Sequence, residues 1–197
     1  MNILYQPEFI RGFGTYKLRA ERLMTALEQA LNVGYRAIDT AQMYENEQEI
    51  GQVLRHHPVA RSELCITTKV LPANYSAERF MASVAQSLVA LNVEQVDVLL
   101  LHSPPKQDFS ATLRLLEQAQ RQGLTKYIGL SNFSPQQMVR AREAIAAPLV
   151  VNQVEFHPLL DQSDLLQAAV ATQIPLSSYC SIARGEVLKY RLIQSLA

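Results

Sequence analysis

VDVLLLH, residues Val96–His102, is an apolar run interrupted only by Asp97. A strand with one wet face alternates apolar and polar side chains, whereas a near-continuous run of this length reads as a strand covered on both faces. Covering both faces takes flanking helices, and that is the layout of a parallel sheet whose crossovers are helical.

The same rhythm extends outward from this strand in both directions. Upstream, CITTKV (Cys65–Val70) and the segment Arg36–Asp39 read as strands. Downstream, YIGLSN, LVVNQVEF and PLSSY do so. Between them lie helical periods. ERLMTALEQALNVG sets Leu23, Leu27, Ala30 and Leu31 on one face with Gly34 placed to end it, and ERFMASVAQSLVAL sets Phe80, Val84, Leu88 and Leu91 at the same spacing. Further helices begin near Ser134 and Asp161, and Ser134 followed by Pro135 is a cap with proline at the first helical position. With the short GFGTY segment as a first strand, seven βα strands result. No polar linker or shift of composition marks a boundary, so residues 1–197 read as one α/β domain of the (β/α)₈ TIM-barrel type. An open doubly wound sheet is the competing architecture. The glycine pair of RGFGTY lacks the third glycine and the strand context of a dinucleotide fingerprint.

Composition narrows the function classes. At 197 residues and 48% hydrophobic, the chain can bury a substantial core. Eighteen basic residues balance eighteen acidic ones, leaving no net field to gather nucleic acid or anionic lipid, so a small-molecule partner is expected. No stretch approaches the roughly 18 apolar residues of a membrane span. Cys65 and Cys180 follow no metal-ligand spacing, and MNILYQPEFI lacks the basic flank and apolar core of a signal peptide. A reducing, cytoplasmic setting is expected, with no metal site.

Four polar side chains stand at or just beyond the ends of successive apolar runs: Asp39, Tyr44, Lys69 and His102. In a parallel βα fold that rim is where loops assemble active sites, so one shared pocket is predicted. Taken singly, Asp39 reads as a helix cap, Tyr44 as a half-buried aromatic and His102 as a core histidine; a lysine at the end of a buried strand is costly without a partner. Four structural accidents at matching positions are less probable than one site.

GYRAIDTAQMYENEQEIG, ITTKV, LLLHSPP, IGLSNFSPQQM, VVNQVEFHPLL and SYCSIARGEVL, in this order, resemble successive blocks of the aldo-keto reductase family, in the style of its short bacterial 2,5-diketogluconate reductase-like members. The resemblance spans nearly the whole chain. It implies a barrel that binds a nicotinamide dinucleotide, usually NADPH with NADH as the alternative, and reduces a carbonyl substrate to an alcohol.

Carbonyl reduction by hydride transfer builds negative charge on oxygen, so the site needs a proton donor and a fixed positive field there. Tyr44 is the candidate acid. Bringing a phenol from about 10 to about 7 takes roughly 4 kcal/mol, about what an ammonium ~4 Å away supplies at an effective dielectric near 20. Lys69 alone is therefore expected to acidify Tyr44, Asp39 to keep Lys69 charged, and His102 to orient the substrate oxygen, as the resemblance also implies. Ser131, Asn132 and Gln153 offer the donors and acceptors that a nicotinamide carboxamide needs, and Tyr179 a stacking face; by resemblance these four hold the nicotinamide. Cys180 replaces a hydroxyl common in relatives and reads as a small buried filler. Ser103 stands where relatives often carry tryptophan, which predicts a wider substrate entrance. His56, His57 and His157 read as structural.

A complete barrel of this type takes about 250 residues. The chain stops at Ala197, inside what reads as the seventh helix, with the eighth repeat absent. The edges of the first and seventh strands are then expected to be exposed and prone to self-association. Two other readings use the same residues: a Schiff-base aldolase or lyase with Lys69 as nucleophile, and a non-catalytic binding protein that keeps the rim without turnover.

Overall fold

The structure, a computed structural model, describes residues 3–195. Seven strands run parallel in chain order: β1 (Gly12–Gly14), β2 (Ala37–Asp39), β3 (Cys65–Val70), β4 (Val96–Leu101), β5 (Thr125–Ser131), β6 (Leu149–Glu155) and β7 (Leu176–Tyr179). The helices between them are α1 (Ala20–Asn32), α2 (Glu47–His56), α3 (Ala77–Leu91), α4 (Phe109–Arg121), α5 (Pro135–Ala144) and α6 (Ser163–Thr172), with the short α7 (Arg191–Gln194) after β7. Each strand pairs with its successor, and β1 and β7 do not pair with each other. This is a (β/α)₈ barrel without its eighth repeat among the described residues. No helix among them is long and apolar enough to cross a membrane.

The apolar run of β4 owes its continuity to two different cores. Side chains alternate across a strand. Leu99 and Leu101 pack into the large layer between sheet and helices, together with Ile66, Val70, Ile128 and Leu130. Val98 and Leu100 point the other way, into a small interior cluster with Ala37, Cys65 and Val151, against which Ile3, Leu4 and Phe9 are packed. All six residues of β4 are buried, each large aliphatic one contributing roughly 1.5–3 kcal/mol.

Asp97, the one interruption, is 1% exposed and braces the end of the barrel away from the strand C-termini. Its carboxylate accepts from Arg61 Nη2 at 2.6 Å, Lys126 Nζ at 2.8 Å and the Ile66 amide at 2.9 Å. A buried charge is tolerated when paired and hydrogen-bonded, and here both conditions hold.

The predicted helix signals act as read. Leu23, Leu27, Ala30 and Leu31 are the buried face of α1, and Gly34 turns the chain at φ +97°. Ser134 and Gln137 form a reciprocal capping box around Pro135. Two boundaries differ. β2 starts at Ala37, one residue later than read, although the Arg36 carbonyl already accepts from the Cys65 amide of β3 at 2.8 Å. α6 starts at Ser163, because Asp161 bonds the Ser163 amide and hydroxyl from a turn ahead of the helix.

α2 meets α3 at Gly51, where an added Cβ would lie 2.0 Å from the Ala90 carbonyl oxygen. Backbone cannot yield there as a flexible side chain would. Gly51→Ala is expected to destabilise the fold by at least about 2 kcal/mol, read as a lower urea midpoint at unchanged m-value. A midpoint within error of the parent would show that the two helices are not in this contact.

Candidate active site

Parallel strands in chain order put all seven C-terminal ends on one rim, and the eight predicted residues arrive there. Asp39 is the last residue of β2, and Lys69 the penultimate residue of β3. Lys69 is 1% exposed, among the largest fully buried side chains. Its three ammonium protons have three acceptors: Asp39 Oδ1 at 2.5 Å, the Thr40 carbonyl at 2.9 Å and the Tyr44 phenol oxygen at 3.4 Å. The second Asp39 oxygen accepts from Gln153 Nε2 at 2.6 Å, a bond from β2 to β6 across the mouth of the barrel.

Tyr44 lies on a one-turn 3₁₀ segment, Gln42–Tyr44, beyond β2, so it is placed by a loop rather than by a strand end. Two neighbours make that loop rigid. Gln42 donates to the Ser83 carbonyl and to Ser87 Oγ, and accepts from the Leu71 amide and Asn74 Nδ2. Asn46, fully buried, donates to the Thr15 and Leu18 carbonyls and accepts from Thr40 Oγ1. The Tyr44 ring meets His102 edge-on, centroids 5.7 Å apart, and Tyr16 at 5.1 Å.

The expected acidification of Tyr44 is not present. Burial, with the negative field of Asp39 and lesser contributions from Tyr16 and Cys180, raises its pKa above the phenolic 10. The physical reason is geometric: the Lys69 ammonium lies closer to Asp39 than to the phenol, so the carboxylate cancels much of its field at Tyr44. Tyr44 stays protonated through the neutral range.

His102 follows β4. Its amide donates to the Val70 carbonyl and its own carbonyl accepts from Asn132 Nδ2. Burial and the nearby Lys69 charge lower the imidazole pKa to about 4 against the opposing pull of Asp39, so the ring is neutral at pH 7. Nδ1 is buried without a hydrogen-bond partner among the described residues.

The four residues expected to face a nicotinamide are also gathered. Asn132 follows β5 in the left-handed region, φ +63°, and accepts from the Tyr179 hydroxyl at 2.8 Å while donating to Ser131 Oγ at 3.2 Å. Ser131 donates to the Gln153 carbonyl at 2.9 Å. Cys180 is only half-buried and holds φ +52°, so it is not the core filler expected. His57 contacts Asn32, and His157 lies 3.5 Å from Glu155, the last residue of β6. No group of three metal-ligating side chains is gathered among the described residues.

Tyr16, Gln42, Asn46 and Tyr75 were not singled out in sequence. For Tyr16 the signal existed, an aromatic just past a strand end on the same rim. Gln42 and Asn46 flank Tyr44, but their value lies in bonds to other loops that spacing does not show.

Comparison with known proteins identifies the family. Residues 12–193 match the model of the Aldo/keto reductase family. The methylglyoxal reductase DkgB of Salmonella typhi is 37% identical over 190 residues, covering 94% of this chain and 71% of that protein. A crystal structure of a protein provisionally named 2,5-diketo-D-gluconic acid reductase B superposes with a TM-score of 0.88 at 39% identity, covering 92% of this chain and 65% of the other. The silkworm (Bombyx mori) aldo-keto reductase AKR2E5 in complex with NADPH gives 0.81 at 35% identity, covering 85% and 57%. The chain thus spans about 57–71% of the length of these three proteins. With a family match over most of its residues and the rim geometry in place, the chain belongs to the aldo/keto reductase family.

Proposed function

We propose that this chain reduces a small aldehyde or ketone to an alcohol with NADPH, NADH being the alternative donor, and that Tyr44 is the general acid. The observation that carries the reading is the buried Lys69 bonded to half-buried Asp39 and Tyr44, with the Tyr44 ring against a neutral His102. A small α-dicarbonyl, as the name of the methylglyoxal reductase relative indicates for that protein, is the proposed substrate class. The two free cysteines fit a reducing, cytoplasmic setting.

The residues present fit a nicotinamide. Asn132 is an exposed amide and Tyr179 a half-buried ring beside it, joined by a hydrogen bond that a carboxamide can replace. Ser131, Asn132, Gln153 and Tyr179 would hold that group next to Tyr44 and His102. NADPH, when bound, supplies the hydride.

The protein's own part is to manage charge and a proton at the carbonyl oxygen. The phenol oxygen of Tyr44 already accepts from Lys69, which leaves its O–H to donate outward. His102, neutral, offers a ring N–H to the same oxygen. As the oxygen gains charge, Tyr44 yields its proton. An alcohol is about as weak an acid as water, near 15.7, so even a phenol raised above 10 gives its proton to an alkoxide downhill. The tyrosinate then faces the Lys69 ammonium, and Asp39 keeps that ammonium charged.

The aldolase reading meets an obstacle in the same bonds. A Schiff-base lysine must shed its proton, and three acceptors with one carboxylate at 2.5 Å stabilise the charged form. Borohydride with a carbonyl compound should leave the protein mass unchanged.

Tyr44→Phe should bind NADPH as the parent does, by fluorescence titration, and lose about 10²–10⁴-fold in kcat for methylglyoxal reduction, the usual worth of a general acid. Activity within tenfold of the parent would remove Tyr44 from that role. No quenching of NADPH fluorescence by the parent at high micromolar concentration would instead favour the binding-protein reading.

The rate of reduction should also be flat between about pH 5.5 and 9. His102 titrates near 4 and is already neutral there, and Tyr44, shifted upward, has not begun to ionise. A limb centred near 6.5 in kcat/KM would show that an unshifted imidazole controls the reaction.

A further inference from the structure

His102 is a ring whose position matters and whose Nδ1 has no hydrogen-bond partner among the described residues. A catalytic imidazole is commonly aimed by a bond to its second nitrogen. Here the aim falls to the backbone around it. On one side the His102 amide and carbonyl are held by Val70 and Asn132. On the other side Ser103 precedes Pro104 and Pro105, and proline supplies no amide hydrogen to the loop.

Tyr75 does that work. Its hydroxyl donates to the Ser103 carbonyl at 2.8 Å and accepts from the Ser103 amide at 3.2 Å, engaging both backbone groups of the residue that follows His102. The ring is anchored against Phe80, itself fully buried, at a centroid distance of 6.5 Å. Burial pushes the phenol up to about 12, so the hydroxyl keeps its proton and both bonds through the neutral range.

The other end of the same loop is tied to Tyr44. Gln42, two residues before Tyr44, accepts from the Leu71 amide at 2.8 Å and from Asn74 Nδ2 at 3.0 Å. The segment from Leu71 to Tyr75 therefore bridges the turn that carries Tyr44 and the residue next to His102. Two groups that must meet one oxygen are spaced by a single short loop, pinned at one end by an amide and at the other by a phenol.

We infer that Tyr75 is a positioning residue which, through Ser103, sets the imidazole of His102 against Tyr44. The inference rests on the reductase reading for its kinetic consequence and on geometry alone for its structural one. A purely structural Tyr75 would support the loop, and its loss would lower stability without acting through His102.

The test uses Tyr75→Phe, which deletes the hydroxyl and keeps the ring on Phe80, with Tyr75→Met as a second deletion should the first not fold by circular dichroism. Histidine-labelled NMR reads the ring directly, His102→Gln assigns its signal, and the other three histidines serve as internal controls. In the parent, His102 should titrate near 4. In the variant its resonance should move and its midpoint rise toward 6.5 as water reaches the loosened loop. Kinetically, kcat for methylglyoxal should fall about tenfold with KM within about twofold, the size expected of a small misplacement. In a His102→Gln background the same change should cost less than about twofold. An unmoved His102 resonance, or an equal loss in both backgrounds, overturns the inference. If the parent reduces no carbonyl at all, the reductase reading fails, while the NMR comparison still decides the role of Tyr75.

Discussion

A lysine ammonium buried to 1% exposure is the constraint on which the rim of this protein depends. An isolated charge in such a place costs several kcal/mol and would shed its proton. Around Lys69 a carboxylate, a backbone carbonyl and a phenol oxygen each accept one hydrogen bond from the amine. Those acceptors come from the end of β2 and the turn after it, so satisfying one amine dictates how residues 39–44 must run. The turn in turn needs Gln42 and Asn46 to hold it, which ties it to β1, to α3 and to the loop after β3.

The polar side chains of the rim form a closed circuit. Lys69 joins Asp39 and Tyr44, and the Tyr44 ring abuts His102. Asn132 reaches the His102 carbonyl and Ser131, Ser131 reaches the Gln153 carbonyl, and Gln153 returns to Asp39. Apart from the bond between the adjacent Asn132 and Ser131, each link joins segments at least 22 residues apart in sequence. Such a circuit fixes donors before a substrate arrives, the condition under which dipoles stabilise developing charge without reorganising. Tyr44 is not pre-acidified, because burial and the Asp39 charge raise its pKa. A phenol already ionised at neutral pH would have no proton to give in the reducing direction.

Much of this was legible in the chain. The rule that parallel strands expose their C-terminal ends on one rim needs only the strand positions, so Asp39, Lys69, His102, Ser131 and Tyr179 followed from apolar runs and what ends them. Tyr44 followed from its place just beyond such a run, and the family resemblance gave it the same role. Two kinds of fact did not follow. The sign of the Tyr44 shift depends first on how deeply the phenol is buried and then on how near Asp39 lies to it, and spacing encodes neither. The roles of Gln42 and Tyr75 depend on which loops lie side by side, and a hydrogen bond to a backbone group leaves no partner residue type to read in the sequence.

The two ends of the barrel treat buried charge differently, and the difference separates stability from chemistry. Asp97 lies at the end opposite the rim, with Arg61, Lys126 and the Ile66 amide around it at 2.6–2.9 Å. An acid with two bases and an amide is a closed arrangement whose loss would take the acceptor from the Ile66 amide. At the rim, Lys69 makes two short bonds and one long one, and the long one ends on an oxygen that still carries a transferable proton. The slack in that third contact is where charge can grow. If Tyr44 is the general acid, as proposed, its phenolate would attract the ammonium more strongly than the phenol does, so this interaction would be weaker before proton transfer than after it. An interaction that gains strength along the reaction lowers a barrier, whereas one already complete in the resting state only holds the fold together.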